Sequence, residues 1–255
     1  MCGIRTNLYF DSQLCKGIYV RGFETAELDF MARFLGAGDV FLDIGANIGV
    51  YSLLAAKRVG STGAVHAFEP HGKTYERLKQ NIAESGCRNV VCYNLALSDA
   101  EGTACLNASL EGFDAWNSLS QPTRGSAFLA ESVRTLTLDG FCSKHGLSVE
   151  AITMIKIDVE GWESHVLTGA ERLLLQARAP VLQVEFSDRA CRQTGGSLDS
   201  LASQILRLGY SLYTYDIPRK RLTRIRNISD LLSENALCLK DAQRVACRSA
   251  ITIAS

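Results

Sequence analysis

Three groups of residues in this 255-residue chain have types and spacings suited to chemistry. The first is Asp43, Gly45, Ala46, Asn47 and Gly49, set between the apolar run Val40 to Leu42 and the helix-like run Val50 to Lys57. A strand, a tight glycine turn and a helix N-terminus together build a nucleotide-type pocket. Gly45 permits the turn and a close backbone approach, and Gly49 lets helix and strand pack tightly. The second group is Glu69 with Pro70, at the end of the apolar stretch Gly63 to Phe68. An acid at the tip of a second strand is placed to grip a ribose diol. The third is Lys156, Asp158 and Glu160 in the stretch Thr153 to Gly161. Strand alternation puts Lys156 and Asp158 on one face, and a buried ammonium needs an acid beside it. Asp158 and Glu160 then stand at the carboxyl end of a strand, where open α/β sheets place ligands.

Two ligands compete for such a pocket. A dinucleotide asks for G-x-G-x-x-G so that the helix end holds pyrophosphate, but Asn47 takes the middle glycine position. Asp43 before the turn would repel pyrophosphate and suits a ligand carrying an ammonium and a sulfonium. S-adenosylmethionine is such a ligand. A nicotinamide-dependent oxidoreductase remains the alternative from another reaction class, and a degenerate fold serving only as a binding partner is a third.

These groups require alternating strands and helices, hence an α/β fold. Helices are expected over Glu24 to Leu35, His71 to Ser85, Asp139 to His145, Trp162 to Gln176 and Leu198 to Leu208. Further strands are expected over Asn89 to Leu97, Thr103 to Ala108, Ser132 to Leu138, Ala179 to Phe186, Tyr210 to Tyr215 and Glu234 to Lys240. Gly17 to Gly22 reads as a short strand or turn, and residues 1–38 as a segment capping the pocket, with Tyr19 and Phe23 as lid aromatics. The domain proper runs over 39–255. Ser98 and Asp99, at the tip of the third strand, are placed to accept from an adenine amino group or to begin a turn. Glu111 to Gly125, with Phe113 and Trp116, reads as a loop on the substrate side. The basic run Arg219 to Arg226 reads as a solvated face, and the tail after Lys240 shows no clear element.

Composition narrows the function. The chain has 27 basic and 27 acidic residues, so no strong field recruits nucleic acid or an anionic membrane. No apolar run reaches membrane-span length and no long apolar signal core opens the chain. The 9 cysteines are scattered without a C-x-x-C pair, which fits reduced thiols and a cytoplasmic setting, with no metal-type spacing.

The chain resembles the FkbM family of S-adenosylmethionine-dependent methyltransferases. The matching pieces are Phe41 to Gly49, Ala67 to Pro70, Asn94 to Asp99 followed by Gly102, Val133 to Asp139, and Ile155 to Gly161. Leu167 to Glu171 and Val184-Glu185 continue the likeness. The resemblance implies a class I methyltransferase (Rossmann-like) fold: a seven-stranded sheet with an antiparallel last strand, helices on both faces and a small hairpin insertion. It implies methyl transfer, usually to a hydroxyl of a sugar, glycolipid or polyketide, so the expected partner is a small-molecule or glycan acceptor. Transfer to nitrogen is the runner-up. By the same resemblance, Asp43, Gly45, Asn47 and Gly49 line the methionine and ribose part of the donor, Glu69 binds the ribose, and Ser98 with Asp99 sits at the adenine. Lys156, Asp158 and Glu160 lie beside the reactive methyl. An alcohol acceptor needs to lose its proton, so Asp158 or Glu160 is the expected base, with Lys156 keeping one of them ionised and His165 as a weaker candidate. A variant has Asp158, Glu160 and Glu185 holding a divalent cation.

Overall fold

The computed structural model describes residues 5–21, 24–109, 118–119, 128–231 and 233–254. The chain enters through α1 (Gln13–Arg21) and α2 (Thr25–Phe34). It then alternates through β1 (Val40–Ile44), α3 (Val50–Val59), β2 (Ala64–Phe68), α4 (Gly72–Glu84) and β3 (Val90–Tyr93). A side excursion follows: β4 (Ala96–Leu97), β5 (Gly102–Ser109) and β6 (Phe128–Leu136). Alternation resumes with α5 (Leu138–His145), β7 (Ile152–Ile157), α6 (Glu163–Thr168), α7 (Glu171–Leu174), β8 (Val181–Glu185), α8 (Asp188–Gln193) and α9 (Leu198–Arg207). The chain finishes through β9 (Ser211–Asp216), β10 (Arg221–Arg224), β11 (Asn235–Leu239), α10 (Ala242–Ser249) and β12 (Thr252–Ile253).

The main sheet runs β12-β10-β9-β11-β8-β7-β1-β2-β3. Its centre, β3-β2-β1-β7-β8, is parallel, and β11 enters antiparallel to both β8 and β9. The expected class I arrangement with an antiparallel late strand is therefore present, but among the described residues the sheet has 9 strands rather than seven. The extra two come from segments with no expected strand. The basic run forms β10 against β9, and the tail forms α10 and then β12 against β10.

Alternation along the strands sends side chains to two cores. Leu42, Ile44, Ile155, Ile157, Leu182 and Val184 join the face covered by α5, α6, α7 and α9. Phe41, Met154 and Val181 join the face covered by α2, α3 and α10. On this second face, Asp43, Lys156 and Gln183 are register partners on adjacent strands, in one polar row. All three are buried.

Three expected elements come out differently. Gly17 to Arg21 lies in helix α1, and Tyr19 on it is 82% exposed, so its ring faces solvent; Gly22 and Phe23 lie outside the described residues. The expected strand from Asn89 to Leu97 is two strands in two sheets. Asn94 divides them, its amide donating to the carbonyls of Glu69 and Pro70 at 3.0 and 2.8 Å. The expected helix from Trp162 to Gln176 breaks at Gly169, where a Cβ would stand 1.9 Å from the Ser98 carbonyl oxygen.

That approach sets a test. Gly169→Ala forces the α6–α7 junction away from Ser98, and the melting temperature of the purified protein is expected to fall, by about 2–4 °C for each kcal/mol lost in a domain of this size. An unchanged melting temperature would show that the contact tolerates a methyl.

Candidate active site

A cavity of ≈ 300 Å³ opens at the carboxyl ends of the parallel strands. The glycine turn, Gly45 to Ile48, forms one wall. Gly45 has φ +79°, and a Cβ there would lie 1.8 Å from the Asp158 carbonyl oxygen, so only glycine fits. Asn47 also takes a left-handed conformation, φ 49°, which Asn tolerates better than most residues. Gly49 faces away from the cavity and packs against Leu78, where a Cβ would come within 2.6 Å.

Glu69 and Pro70 form the next wall. The Asn47 amide donates to Glu69 Oε2 and the His71 amide to Oε1, each at 3.0 Å. Two backbone donors thus fix the carboxylate's orientation at the cavity wall.

The third group is held by Lys156, whose ammonium is 2.9 Å from Asp158 Oδ2 and 3.9 Å from Asp43 Oδ1. It also donates to the Gly45 carbonyl at 3.3 Å and lies 5.1 Å from the centre of the Tyr51 ring. Burial disfavours the charged ammonium, but Asp158, Asp43 and Glu24 around it outweigh that, and its proton is held more tightly than usual. Glu160 follows with φ 52°, its Oε2 3.7 Å from the Arg189 guanidinium. Glu185, at the end of β8, completes an acidic group. One carboxylate oxygen each from Asp158, Glu160 and Glu185 lies within 4.8 Å of the others. Burial first and then the neighbouring Asp158 push the carboxyls of Glu160 and Glu185 well above the usual range. Glu185 Oε2 is buried without a hydrogen-bond partner among the described residues.

Besides Gly49, further expected site residues stand off the cavity wall. Asp43 does not line the cavity. It is completely buried, accepts from Ser52 Oγ at 2.6 Å and faces Lys156, because its strand position turns it under α3. Ser98 and Asp99 do not line it either, because the chain has already passed into the second sheet. Ser98 Oγ instead accepts from Trp162 Nε1 at 3.0 Å, and Leu95, Ala96, Leu97 and Trp162 form that wall. His165 is stacked on Trp162 with ring centres 3.7 Å apart and is off the cavity wall. None of the basic residues Arg219 to Arg226 reaches it. From the expected substrate loop, Ser118 and Leu119 line the cavity, and Ser118 Oγ donates to the Glu160 carbonyl at 2.6 Å. Phe113 and Trp116 lie outside the described residues.

Spacing did not single out Glu24, Tyr51, Trp162 or Arg189, which all line the cavity. Trp162 caps α6 and Arg189 lies in the first turn of α8, the helices that come after β7 and β8, the one signal that would have found them.

Residues 43–212, more than half of the chain, match the FkbM methyltransferase domain. The chain belongs to this family. The chain is 29% identical over 206 residues to the AMB antimetabolite synthetase AmbE of Pseudomonas aeruginosa, a match that covers 68% of this chain but 10% of that protein. It is 26% identical over 146 residues to the hexuronic acid methyltransferase AglP of Haloferax volcanii, 57% of this chain and 56% of that one. It is 31% identical over 166 residues to the 31-O-demethyl-FK506 methyltransferase FkbM of Streptomyces tacrolimicus, 54% of this chain and 61% of that one. The chain thus spans less than two thirds of each of these relatives. Among the described residues no helix is long and apolar enough to cross a membrane.

Two outcomes follow from the buried charges. Lys156→Met leaves Asp43 and Asp158 without their cation, and destabilisation of about 3–5 kcal/mol is expected in urea unfolding at neutral pH. Acid restores part of it by neutralising the carboxylates; equal stability of variant and parent would contradict the pairing. The second outcome concerns Glu163, whose Oε1 accepts from the Val159 and Gly161 amides at 3.0 and 3.2 Å. Burial still pushes its carboxyl from 4.5 to about 7. A carboxyl whose proton is held more tightly in the folded state supplies stability below pH 4.5 that is lost as the pH rises to about 7. Glu163→Gln, which keeps the acceptor oxygen, is expected to gain on the parent across that window; parallel stability curves would contradict this.

Proposed function

We propose that this FkbM domain transfers a methyl group from S-adenosylmethionine to a hydroxyl oxygen of a sugar, polyketide or other secondary metabolite. One observation carries the reading: among the described residues the cavity wall holds Glu24, Glu69, Asp158, Glu160, Glu185 and Glu234 against the two cations Lys156 and Arg189. Such a cavity repels the pyrophosphate of a dinucleotide and favours a ligand with positive charge. Glu69, fixed by two backbone amides, suits the ribose hydroxyls. Trp162 and Leu97 offer apolar wall to the adenine. The acceptor class follows from the likeness to the hexuronic acid methyltransferase AglP and the 31-O-demethyl-FK506 methyltransferase FkbM.

The donor supplies a methyl already activated on sulfur. The chain's own residues then have two tasks, holding the acceptor in line and receiving its proton. Asp158 is tied to Lys156 at 2.9 Å, so one of its oxygens is already engaged. Glu160 holds a proton more tightly than an ordinary carboxylate, so it is the stronger base once ionised. Arg189 beside it favours the ionised form.

Glu69→Ala is expected to weaken binding of S-adenosylhomocysteine roughly 10- to 100-fold by fluorescence or calorimetric titration. Unchanged affinity would remove Glu69 from the ribose. Glu160→Gln is expected to lower kcat about 10²- to 10⁴-fold with donor affinity intact. In the parent, Glu160 works only when ionised, so the rate rises with pH through its raised value, and this limb disappears in the variant. Full turnover by Glu160→Gln moves the base to Asp158.

A second reading is favoured by the close approach of Asp158, Glu160 and Glu185 and by the unpartnered Glu185 Oε2. There a divalent cation would polarise the acceptor oxygen. Activity lost in chelator and restored by magnesium supports it, and activity that persists in chelator rules it out.

A further inference from the structure

Asp43 cannot meet the ammonium that spacing assigned to it, since it is enclosed by Ser52 and Lys156 and stands off the cavity wall. Another carboxylate does face the cavity beside the glycine turn. Glu24 enters from the segment before α2, and it does so in a left-handed conformation, φ 35°. Backbone strain of this kind persists only where the surroundings impose it. The Tyr51 hydroxyl donates to Glu24 Oε2 at 2.5 Å and itself accepts from Gln183 Nε2 at 2.7 Å. Glu24 Oε1 has no hydrogen-bond partner among the described residues.

Position adds to this. Ala67, Asp43, Lys156 and Gln183 are register partners across β2, β1, β7 and β8. Glu69 follows Ala67 on the β2 side, whereas the Tyr51 hydroxyl that holds Glu24 is anchored to Gln183 on β8. Three strand spacings, roughly 14 Å, separate these anchor points. The two carboxylates are therefore held from anchor points on opposite sides of the cavity, as the ribose and the ammonium lie at opposite ends of S-adenosylmethionine.

We infer that Glu24, from the N-terminal segment outside the matched domain, receives the ammonium of the donor's methionine end. This rests on the methyl-donor reading above. It also makes residues 24 onward of the N-terminal segment part of the donor site.

The charges around Glu24 supply a second readout. Burial first, then Asp158 and Glu27, push its carboxyl up to about 7, against the opposing pull of Lys156 and the Tyr51 hydroxyl. A cation arriving beside Oε1 lowers that value, so donor binding at neutral pH expels a proton from Glu24.

The test is calorimetric titration of the full chain with S-adenosylhomocysteine at pH 7, in two buffers of different ionisation heat. It uses the parent, Glu24→Gln and Glu24→Asp, each checked for an unchanged melting temperature. The parent is expected to release protons on binding. Glu24→Gln is expected to bind roughly 10- to 100-fold more weakly with no release from this site. Glu24→Asp, which keeps the charge, is expected to recover part of the affinity. An analogue lacking the amino group is expected to bind parent and Glu24→Gln alike. Equal affinity of parent and Glu24→Gln for S-adenosylhomocysteine, or an equal loss for the amine-free analogue, overturns the assignment and leaves the methyl-donor reading standing. No binding by the parent overturns both.

Discussion

The ammonium of Lys156, buried between Asp43 and Asp158, is the interaction on which the rest of the site depends. A charge taken out of water costs several kcal/mol unless partners surround it. Here the partners come from three places at once. Asp43 is its register neighbour on β1, Asp158 lies just past the end of β7, and the Gly45 carbonyl belongs to the turn. The same cation therefore locks the pairing of β1 with β7 and the path of the glycine turn that forms the cavity wall. Ser52 on α3 then ties Asp43 to the covering helix, and Tyr51 one residue earlier lays its ring over the ammonium.

One buried cation does not neutralise the acids gathered at the strand tips. Asp158, Glu160, Glu163 and Glu185 stand close enough that burial and mutual repulsion raise the proton affinity of the last three. Such a cluster is unstable as a set of bare carboxylates, and it relaxes either by holding protons or by meeting a cation. A sulfonium and an ammonium on one ligand meet that need. The surplus also explains how a carboxyl gains enough basicity to receive a proton from an alcohol near neutral pH.

The parts of the site that depend on backbone shape were legible in the residues. Gly45 and Glu69 sit where a glycine turn and a second strand tip must put them, and Lys156 beside Asp158 follows from strand alternation. Asp43 was misplaced because alternation does not say which face lies under a helix and which opens to ligand; Ser52 and Lys156 decide that. Ser98 and Asp99 were misplaced because Asn94 diverts the chain into a second sheet, a side-chain choice with no periodic signature. The tail strands were missed because β10 and β12 are short and carry Arg221, Arg224 and Thr252 where apolar alternation is normally read. Glu24 left no trace in spacing, since a residue in a left-handed turn before a helix reaches the cavity only through the tertiary fold.

The cavity's shape and its charge make one demand on the bound donor, and a crystal structure of the protein with S-adenosylhomocysteine tests it most directly. The account expects the ribose hydroxyls on the Glu69 carboxylate, the adenine against Trp162 and Leu97, and the sulfur facing Asp158 and Glu160. A ligand bound away from Glu69, or a nicotinamide dinucleotide with its pyrophosphate on the Gly45 turn, would contradict it.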